Sequence, residues 1–356
     1  MYVVNQSLLV RLGSDHFVEC VVEGDDSHIE ITQPLLMALV TARGKQPFSR
    51  ESFCQIALDC GCEEISPSIW LGLRVARVLL QAPDTTPSSE ATPEYDWRYH
   101  GWPIARLFHS SISHTAFVPG TQEGWEITTR YNENITKDGQ GPPVLRALEC
   151  EKILALPEPL EVHADFFEVL MARRTRRYFR KTTTIQKTVL ANICHFAARS
   201  HATLWNPYFG EHLMKTSPSG GARHPVELYP CVFRSQDIDE GLYYYNPVTH
   251  SLGRMGDISE EQLHAIGQRQ AGTQGMAIAF LVSIRFARNM WKYRYSKSYT
   301  FSLLDAGHFV QTLLLVCNAH GFDCFLTPAI NVELAQGHLG LPNIYDECAS
   351  YLICAG

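Results

Sequence analysis

The stretch that most constrains this chain is residues 217–229, SPSGGARHPVELY. Its adjacent glycines, Gly220 and Gly221, follow a Pro-Ser pair, and glycine readily adopts positive φ and lets a ligand approach the backbone closely. The apolar run after Pro225 predicts a buried strand. A turn of this composition before a strand can either cradle a planar cofactor or be only a tight turn.

Two further segments favour the cofactor interpretation. Residues 173–179, RRTRRYF, place four arginines together in a chain whose net charge is −7. Arginines beside a hydroxyl suit a phosphate because guanidinium groups are permanently charged, bidentate donors, although cations also suit an exposed helix end. Later come WKYR at 291–294 and then DAGH at 305–308, which opens a predicted amphipathic helix.

Taken in this order, the three segments resemble the FMN-dependent nitroreductase superfamily, and within it the SagB-like thiazoline and oxazoline dehydrogenases of peptide maturation. The resemblance covers roughly residues 168–356. It implies an α+β, nitroreductase-like FMN fold and a homodimer with the FMN site between subunits.

The resemblance also assigns cofactor-binding roles to individual residues. The family holds the FMN phosphate with Arg, Ser and Arg at alternate positions, which here fall on Arg173, Thr175 and Arg177; threonine keeps the hydroxyl. His224 stands where simpler nitroreductases have Gln, and Thr327 and Ala329 lie where the family presents a backbone N–H to flavin N5. The residues implied to lie along the flavin are Pro218, Ser219, Gly220 and Gly221.

Lys292 and Tyr293 are the implied catalytic pair, because azoline-oxidising members carry a Lys-Tyr pair near this point. Removing a hydride from an azoline ring requires a proton to leave the neighbouring carbon, and either side chain can take or relay it. One departure concerns residues 297–300, KSYT, where the family usually has Arg-x-Tyr-Arg. It weakens the assignment of substrate class but not that of FMN.

The N-terminal residues 1–81 predict a separate winged-helix-like module. Residues 2–10, 17–22 and 28–32 read as strands, and three helices follow. Such a module can pad or dimerise the enzyme. By resemblance to leader-peptide recognition domains, it can instead capture a substrate peptide by strand addition. DNA-binding winged helices share the pattern, but the acidic chain argues against nucleic acid.

The rest of the chain divides by composition. Residues 82–96 are rich in Pro, Ser and Thr and predict a linker. A connecting segment is expected over 97–160 and the nitroreductase-like FMN domain over 161–356. His109 and His114 lie among aromatics of the connecting segment, where a histidine can be catalytic or only packed.

The eleven cysteines are odd in number and irregularly spaced, and no secretory leader opens the chain. We therefore expect free thiols and a cytoplasmic protein. Cys60 and Cys62 have no second Cys or His pair at zinc-finger spacing, so no metal site is expected. No apolar run has the length of a membrane span.

The predicted function is FMN-dependent oxidation of a ribosomally made peptide, most simply azoline to azole, with a cyclodehydratase as a candidate partner. A peptide side-chain desaturase is one alternative, which residues 297–300 leave open. A small-molecule NAD(P)H-dependent flavin or nitro reductase is another, although no G-x-G-x-x-G fingerprint for a bound dinucleotide is present. A non-catalytic peptide-binding partner is a third, and it predicts purification without flavin.

Overall fold

The structure is a computed structural model. It describes residues 2–4, 8–12, 17–22, 28–44, 47–81, 101–113, 115, 117–118, 120–137 and 139–356. The chain divides into two compact units, Met1–Phe117 and Val118–Gly356, and each is described by itself. The predicted linker at 82–96 lies outside the described residues.

The N-terminal unit combines short antiparallel strands with helices. Its elements are β1 (Tyr2–Val4), β2 (Leu8–Leu12), β3 (Phe17–Val22), β4 (His28–Thr32), α1 (Gln33–Arg43), α2 (Arg50–Asp59), α3 (Pro67–Val75), β5 (Leu79–Gln81) and α4 (Pro103–Ser113). The single strand predicted over 2–10 is two strands, because β1 pairs with β5 whereas β2 joins the sheet β2-β3-β4. The winged-helix assignment stays a prediction.

The helices of this unit begin where the sequence indicates. Ser49 and Ser66 are N-caps whose hydroxyls accept hydrogen bonds from backbone N–H groups of the first turn, and Pro67 occupies the first turn of α3. The face of α3 that packs on the core of this unit includes Trp70 and Leu73, whereas Ile69 is 42% exposed. The helix ends at Val75.

A seven-stranded sheet organises the second unit. Its strands and one separate hairpin are β6 (Lys152–Ala155), β7 (Ala202–Asn206), β8 (Gly210–Met214), β9 (Val226–Val232), β10 (Gly241–Asn246), β11 (Ser251–Gly256), β12 (Ile278–Arg285), β13 (Cys324–Thr327) and β14 (Glu347–Ala355). The sheet order is β13-β14-β12-β9-β10-β11-β6, and β7 pairs with β8 alone. The first sheet strand, β6, comes from the predicted connecting segment.

The C-terminal strand, β14, lies inside the sheet of its own chain, with β12 on one side and β13 on the other. Its apolar residues Leu352, Ile353 and Cys354 are fully buried. Because both edges of β14 are hydrogen-bonded within the chain, it has no free edge for a partner strand.

Helices cover both faces of the sheet. They are α5 (Gln122–Lys137), α6 (Phe166–Ala172), α7 (Lys187–Ala198), α8 (Glu260–Ile266), α9 (Phe286–Lys292), α10 (Ser298–Ala319) and α11 (Val332–Leu339). One core joins α7 and α10 to the sheet, and the other joins α8 and α11 to its opposite face. This two-sided burial explains why the sequence of β12 is an almost continuous apolar run.

Helix α10 is longer than the sequence suggests. It begins at Ser298 rather than near Asp305, so Asp305 lies within the helix. Within the described residues, α10 is one helix long and apolar enough to cross a membrane by length and composition. Its residues Phe309, Val310 and Leu313 are buried in the core beside α7, so it is a core helix of this fold.

Candidate active site

The glycine turn, residues 218–221, is anchored to α10. The Ser219 hydroxyl donates to Asp305 Oδ2 at 2.6 Å, the Gly220 N–H donates to Asp305 Oδ1 at 3.2 Å, and the His224 N–H donates to Ser219 Oγ at 2.8 Å. Gly221 has φ +59°, as expected for the second glycine. One carboxylate thus fixes the shape of the turn, and the Ser219 hydroxyl is used in holding it.

Lys292 and Tyr293 meet this turn at Gly221. A Cβ atom at position 221 would lie 2.2 Å from Tyr293 Oη and 2.6 Å from Lys292 Nζ. Both predicted catalytic side chains therefore touch the predicted cradle, although about 70 residues separate them along the chain. Glycine is required here because any side chain would displace both groups.

Burial tunes the groups around the turn. Burial, and after it the charge of Arg223, lowers the pKa of Lys292 to about 8, whereas burial raises the pKa of Tyr293 to about 12. Burial, followed by the charges of Lys215 and Arg288, lowers the pKa of His224 to about 3, so this imidazole is neutral. Near neutral pH the site thus offers an amine close to its pKa and a protonated phenol.

The hairpin β7–β8, which the sequence reading missed, forms a wall of this site. Its Phe209 ring lies 4.4 Å from Lys292 Nζ and packs edge-on against Trp291, with ring centroids 5.8 Å apart. The other support of Trp291 is Gly141, where a Cβ atom would lie 2.8 Å from the indole ring. An aromatic contact with a cation in a desolvated place favours a fixed position for Lys292.

Helix α5 also contacts the segment that carries Lys292 and Tyr293. The Tyr131 hydroxyl donates to the Lys292 carbonyl at 2.9 Å and accepts from the Arg294 N–H at 3.1 Å. These two bonds bracket the backbone of Tyr293. Nothing in the local pattern of α5 signals this role, because the contact spans 161 residues of sequence.

The structure separates the four clustered arginines. Arg174 caps the end of α6 through the carbonyls of Met171 and Arg173, both at 2.8 Å, and Arg176 pairs with Asp323 at 3.6 Å. Within the described part of the chain, Arg173 and Arg177 pair with no carboxylate. The two arginines predicted to hold a phosphate are therefore the two that keep their charges available.

Arg173, Thr175 and Arg177, the arginine set, are not brought together with the glycine turn within one chain. Thr175 pairs with Cys324 on β13. Across the sheet, Cys324 lies level with Val232 of β9, because the strands between them, β14 and β12, are paired in that register. Val232 is at the end of β9 that lies farther from the glycine turn. The six residues from Val226 to Val232 span about 20 Å, and the intervening strands add about 19 Å sideways. This separation is too long for one FMN to reach both sets in a single chain.

The predicted flavin N5 contact is also occupied internally. The Ala329 N–H donates to Thr327 Oγ1 at 3.0 Å, and the Ala329 carbonyl accepts from the Gln270 amide at 2.8 Å. Thr327 itself is buried at the end of β13. Neither residue contacts the glycine turn in the structure.

The remaining candidates from the sequence are two histidines and two cysteines. His109 is on α4 of the N-terminal unit, and His114 lies outside the described residues. Cys60 and Cys62 are free thiols, and the described residues contain no group of three His, Cys, Asp or Glu side chains that could hold a metal ion. A small cavity beneath the glycine turn is lined by Lys215, His224 and Asp305.

A family profile, the nitroreductase family, matches residues 170–356, which is more than half of the chain. The chain belongs to the nitroreductase family. The family resemblance drawn from the sequence is thereby confirmed, as is the nitroreductase-like fold. The family-matched region, residues 170–356, is thus an FMN-dependent oxidoreductase domain.

Several known proteins are similar to this nitroreductase. The trifolitoxin-processing protein TfxB of Rhizobium leguminosarum bv. trifolii is 29% identical over 171 residues, 46% of this chain and 46% of that protein. A nitroreductase-named protein of Methanocaldococcus jannaschii is 28% identical over 172 residues, 47% of this chain and 79% of that protein. The alignment thus spans about half the length of the trifolitoxin-processing relative.

A solved structure from Anabaena variabilis, named among the nitroreductases, superimposes with a TM-score of 0.50. It is 17% identical and covers 64% of this chain and 46% of that one. At this identity the likeness concerns the fold alone.

The residues of this chain fit FMN on two structural observations. The glycine turn carries no side chain of its own at Gly221, and this lets Lys292 and Tyr293 approach its backbone. Arg173 and Arg177 form no ion pair with any carboxylate in the part of the chain that the structure describes, so their guanidinium groups are suited to a phosphate. The turn is the candidate contact for the flavin ring of FMN, and the arginines are the candidate contacts for its phosphate.

Proposed function

We propose that this nitroreductase oxidises a ribosomally synthesised peptide during its maturation, converting an azoline ring to an azole. The observation that carries the proposal is the meeting of Lys292 Nζ and Tyr293 Oη at Gly221 of the glycine turn. The similarity to a protein named for trifolitoxin processing supports maturation of a gene-encoded product rather than reduction of a free small molecule.

The proposed reaction removes one hydride and one proton from adjacent ring carbons. FMN, when bound, supplies the hydride acceptor and passes the electrons to oxygen or another acceptor. The neutral Lys292 amine takes the proton from the neighbouring carbon, and its pKa of about 8 keeps part of the population unprotonated near neutral pH. The Tyr293 hydroxyl stays protonated near neutral pH because its pKa is about 12. It either relays the departing proton or keeps it in place through a hydrogen bond.

The proposed site is completed by a second copy of the chain. The arginine set and the glycine turn lie too far apart in one chain, so the arginines of one copy and the turn of the other would hold one FMN. Helix α6, which leads into the arginines, exposes an apolar surface that includes Phe167 at 71% and Met171 at 70%. An exposed patch of this kind is typical of an association surface.

The oligomer proposal has a direct measurement. Light scattering of the purified protein should give twice the chain mass, and Met171→Glu should shift it to the chain mass with loss of bound FMN. The exposed substitution Ile153→Glu, on the edge strand β6 at the other side of the sheet, is the matched control. A monomer that binds FMN fully would contradict the shared site.

The N-terminal unit is proposed to bind the part of the peptide that lies outside the reacting ring. In its sheet β2-β3-β4, the outer strands β2 and β4 each have one partner strand among the described residues. A peptide added there would gain main-chain hydrogen bonds with little sequence demand. Peptides shortened on the N-terminal side of the ring should therefore show a raised KM with little change in kcat.

The reaction itself is tested with FMN-loaded protein and a synthetic peptide that carries one thiazoline. Anaerobic mixing should bleach the flavin absorbance, and mass spectrometry should find a product that has lost two hydrogen atoms. Lys292→Ala should keep the bound flavin but lose the bleaching. Rapid bleaching by NADH or NADPH without any bleaching by the peptide would favour a small-molecule reductase instead.

A further inference from the structure

Arg223, which follows the glycine turn, is buried without an ion-pair partner among the described residues. Its side chain is part of a residue only 5% exposed, and its Nε and Nη1 atoms have no hydrogen-bond partner in the structure. No carboxylate among the described residues forms an ion pair with it. An unpaired guanidinium is costly to bury, so a fold retains one where something else compensates the charge.

Trp291 lies beside Arg223 and has an unused donor of its own. The guanidinium carbon lies 5.7 Å from the Trp291 ring centroid, and the indole Nε1 is buried without a hydrogen-bond partner. Phe209 and Gly141 hold the indole from two sides. Two unsatisfied donor groups are thus fixed next to each other at the glycine turn.

The neighbouring charges add to the imbalance. Lys292 contributes a second basic group without an ion-pair partner in the described residues, and the charges of Arg223 and Lys292 both help to lower the pKa of the buried His212, after burial itself. The carboxylate that anchors the turn, Asp305, accepts hydrogen bonds from Ser219 and Gly220 and forms no ion pair with Arg223.

Arg288 provides the internal comparison. It is even more buried, at 2% exposed, but it forms an ion pair with Glu227 and donates to the His224 carbonyl at 2.7 Å. The fold therefore supplies a carboxylate for one buried arginine of this region and none for the other. The difference points to a ligand rather than to the fold as the partner of Arg223.

We propose that Arg223 and the Trp291 indole N–H form an anion-binding subsite beside the glycine turn, which takes an anionic oxygen of the ligand bound there. The inference rests on the proposed function and deepens it. When a proton leaves a ring carbon next to a carbonyl group, negative charge moves onto that carbonyl oxygen, and a fixed cation stabilises it. The anionic oxygen can belong to a substrate carboxylate or enolate, or the negative charge can develop on the flavin.

Three variants test the subsite: Arg223→Met, which keeps the volume but not the charge; Arg223→Lys, which keeps the charge; and Arg288→Met as the matched control. Unfolding of the flavin-free protein should show Arg223→Met raising Tm by about 2–4 °C, because an unpaired buried charge is removed. Arg288→Met should lower Tm because it leaves Glu227 unpaired. A packing role for Arg223 would instead make Arg223→Met lower Tm.

Ligand binding is measured on FMN-loaded protein with benzoate as a carboxylate probe and benzamide as its neutral counterpart. Arg223→Met should weaken benzoate binding about ten- to hundredfold, leave benzamide unchanged, and Arg223→Lys should restore part of the loss. If the flavin is the source of the anion, Arg223→Met should instead make the flavin midpoint potential more negative.

Two outcomes overturn the inference. One is a lowered Tm for Arg223→Met. The other is an unchanged benzoate affinity together with an unchanged midpoint potential. The FMN content of each variant, determined first, separates these outcomes from failure of the proposed function, because a protein that never binds FMN would fail there and not at Arg223.

Discussion

The hydroxyl of Tyr131 is hydrogen-bonded to the backbone carbonyl of Lys292, at 2.9 Å, across 161 residues of sequence. The same hydroxyl accepts from the Arg294 N–H. A helix that precedes the family-matched region, residues 170–356, thereby fixes the backbone that presents the proposed catalytic pair. In this proposal Tyr131 is a positioning residue, since it acts through Lys292 and Tyr293.

We expect Tyr131→Phe to lower kcat about ten- to hundredfold, because small displacements of reacting groups are costly in rate. Bound FMN and KM should change little, since the glycine turn is held by Asp305 and not by α5. Stopped-flow flavin bleaching with the thiazoline peptide measures the effect. Glu133→Gln, exposed on the same helix, should behave as wild type; equal losses in both variants would contradict the positioning role.

Replacing Arg177 with alanine should weaken FMN binding about ten- to hundredfold, because a charge-assisted hydrogen bond to the phosphate is lost. Flavin retained after gel filtration, identified by mass, gives the occupancy. The neighbouring Arg176→Ala should retain FMN, as its partner is the exposed Asp323. Full occupancy in Arg177→Ala would remove the phosphate assignment.

Gly221→Ala should abolish the bleaching reaction, because the new methyl group would occupy the position where Tyr293 Oη and Lys292 Nζ now lie. The positive φ of +59° adds about 1 kcal/mol of strain. Kinetics and thermal unfolding together measure the change. The matched control is Gly307→Ala in α10, where a Cβ atom would meet nothing within 4 Å.

Asp305→Ala should loosen the turn. Ser219 and Gly220 would lose their acceptor, which costs about 1–3 kcal/mol in stability for partly buried groups. We expect weaker FMN binding by fluorescence titration and a lower urea midpoint. Asp239→Asn, in an exposed pair with Lys152, is the control expected to change neither.

The pH dependence follows from Lys292. Its pKa is lowered from 10.5 to about 8, so the neutral amine that accepts the proton becomes populated as the pH rises through 8. The rate of flavin bleaching should therefore increase with pH and level off above about 9. Lys292→Arg should lose this limb, since arginine stays protonated. A flat profile between pH 6 and 9 in the wild type would exclude Lys292 as the base.

Stability should depend on pH through His224. Its folded pKa of about 3 lies below the ordinary value of 6.5, so the unfolded chain binds a proton that the folded one does not as the pH falls below 6.5. The contribution is complete above 6.5 and is lost progressively toward 3. Urea unfolding of the wild type and His224→Gln at several pH values measures it; identical slopes would contradict this origin.

Several elements were predictable because their signals are local. The cap Ser66 with Pro67, the helix at 187–198, the hairpin turning at Asn246 and the strand β12 follow from capping chemistry, apolar period and turn residues within a few positions. The start of α10 was wrong because its N-cap, Lys297, makes no side-chain cap hydrogen bond and gives no start signal. The hairpin β7–β8 was missed although Asn206, followed by Pro207, and Gly210 are local signals of its turn.

By itself, the sequence determined which residue types could hold FMN and move a proton: the glycine turn, the alternating Arg173, Thr175 and Arg177, and the Lys292-Tyr293 pair. Only the tertiary structure decided which of these meet and which stay apart. Asp305 holds the turn across 86 residues, and the buried Nε and Nη1 atoms of Arg223 have no hydrogen-bond partner among the described residues. Such pairings depend on how distant segments pack, and a local pattern of residues carries no record of that packing.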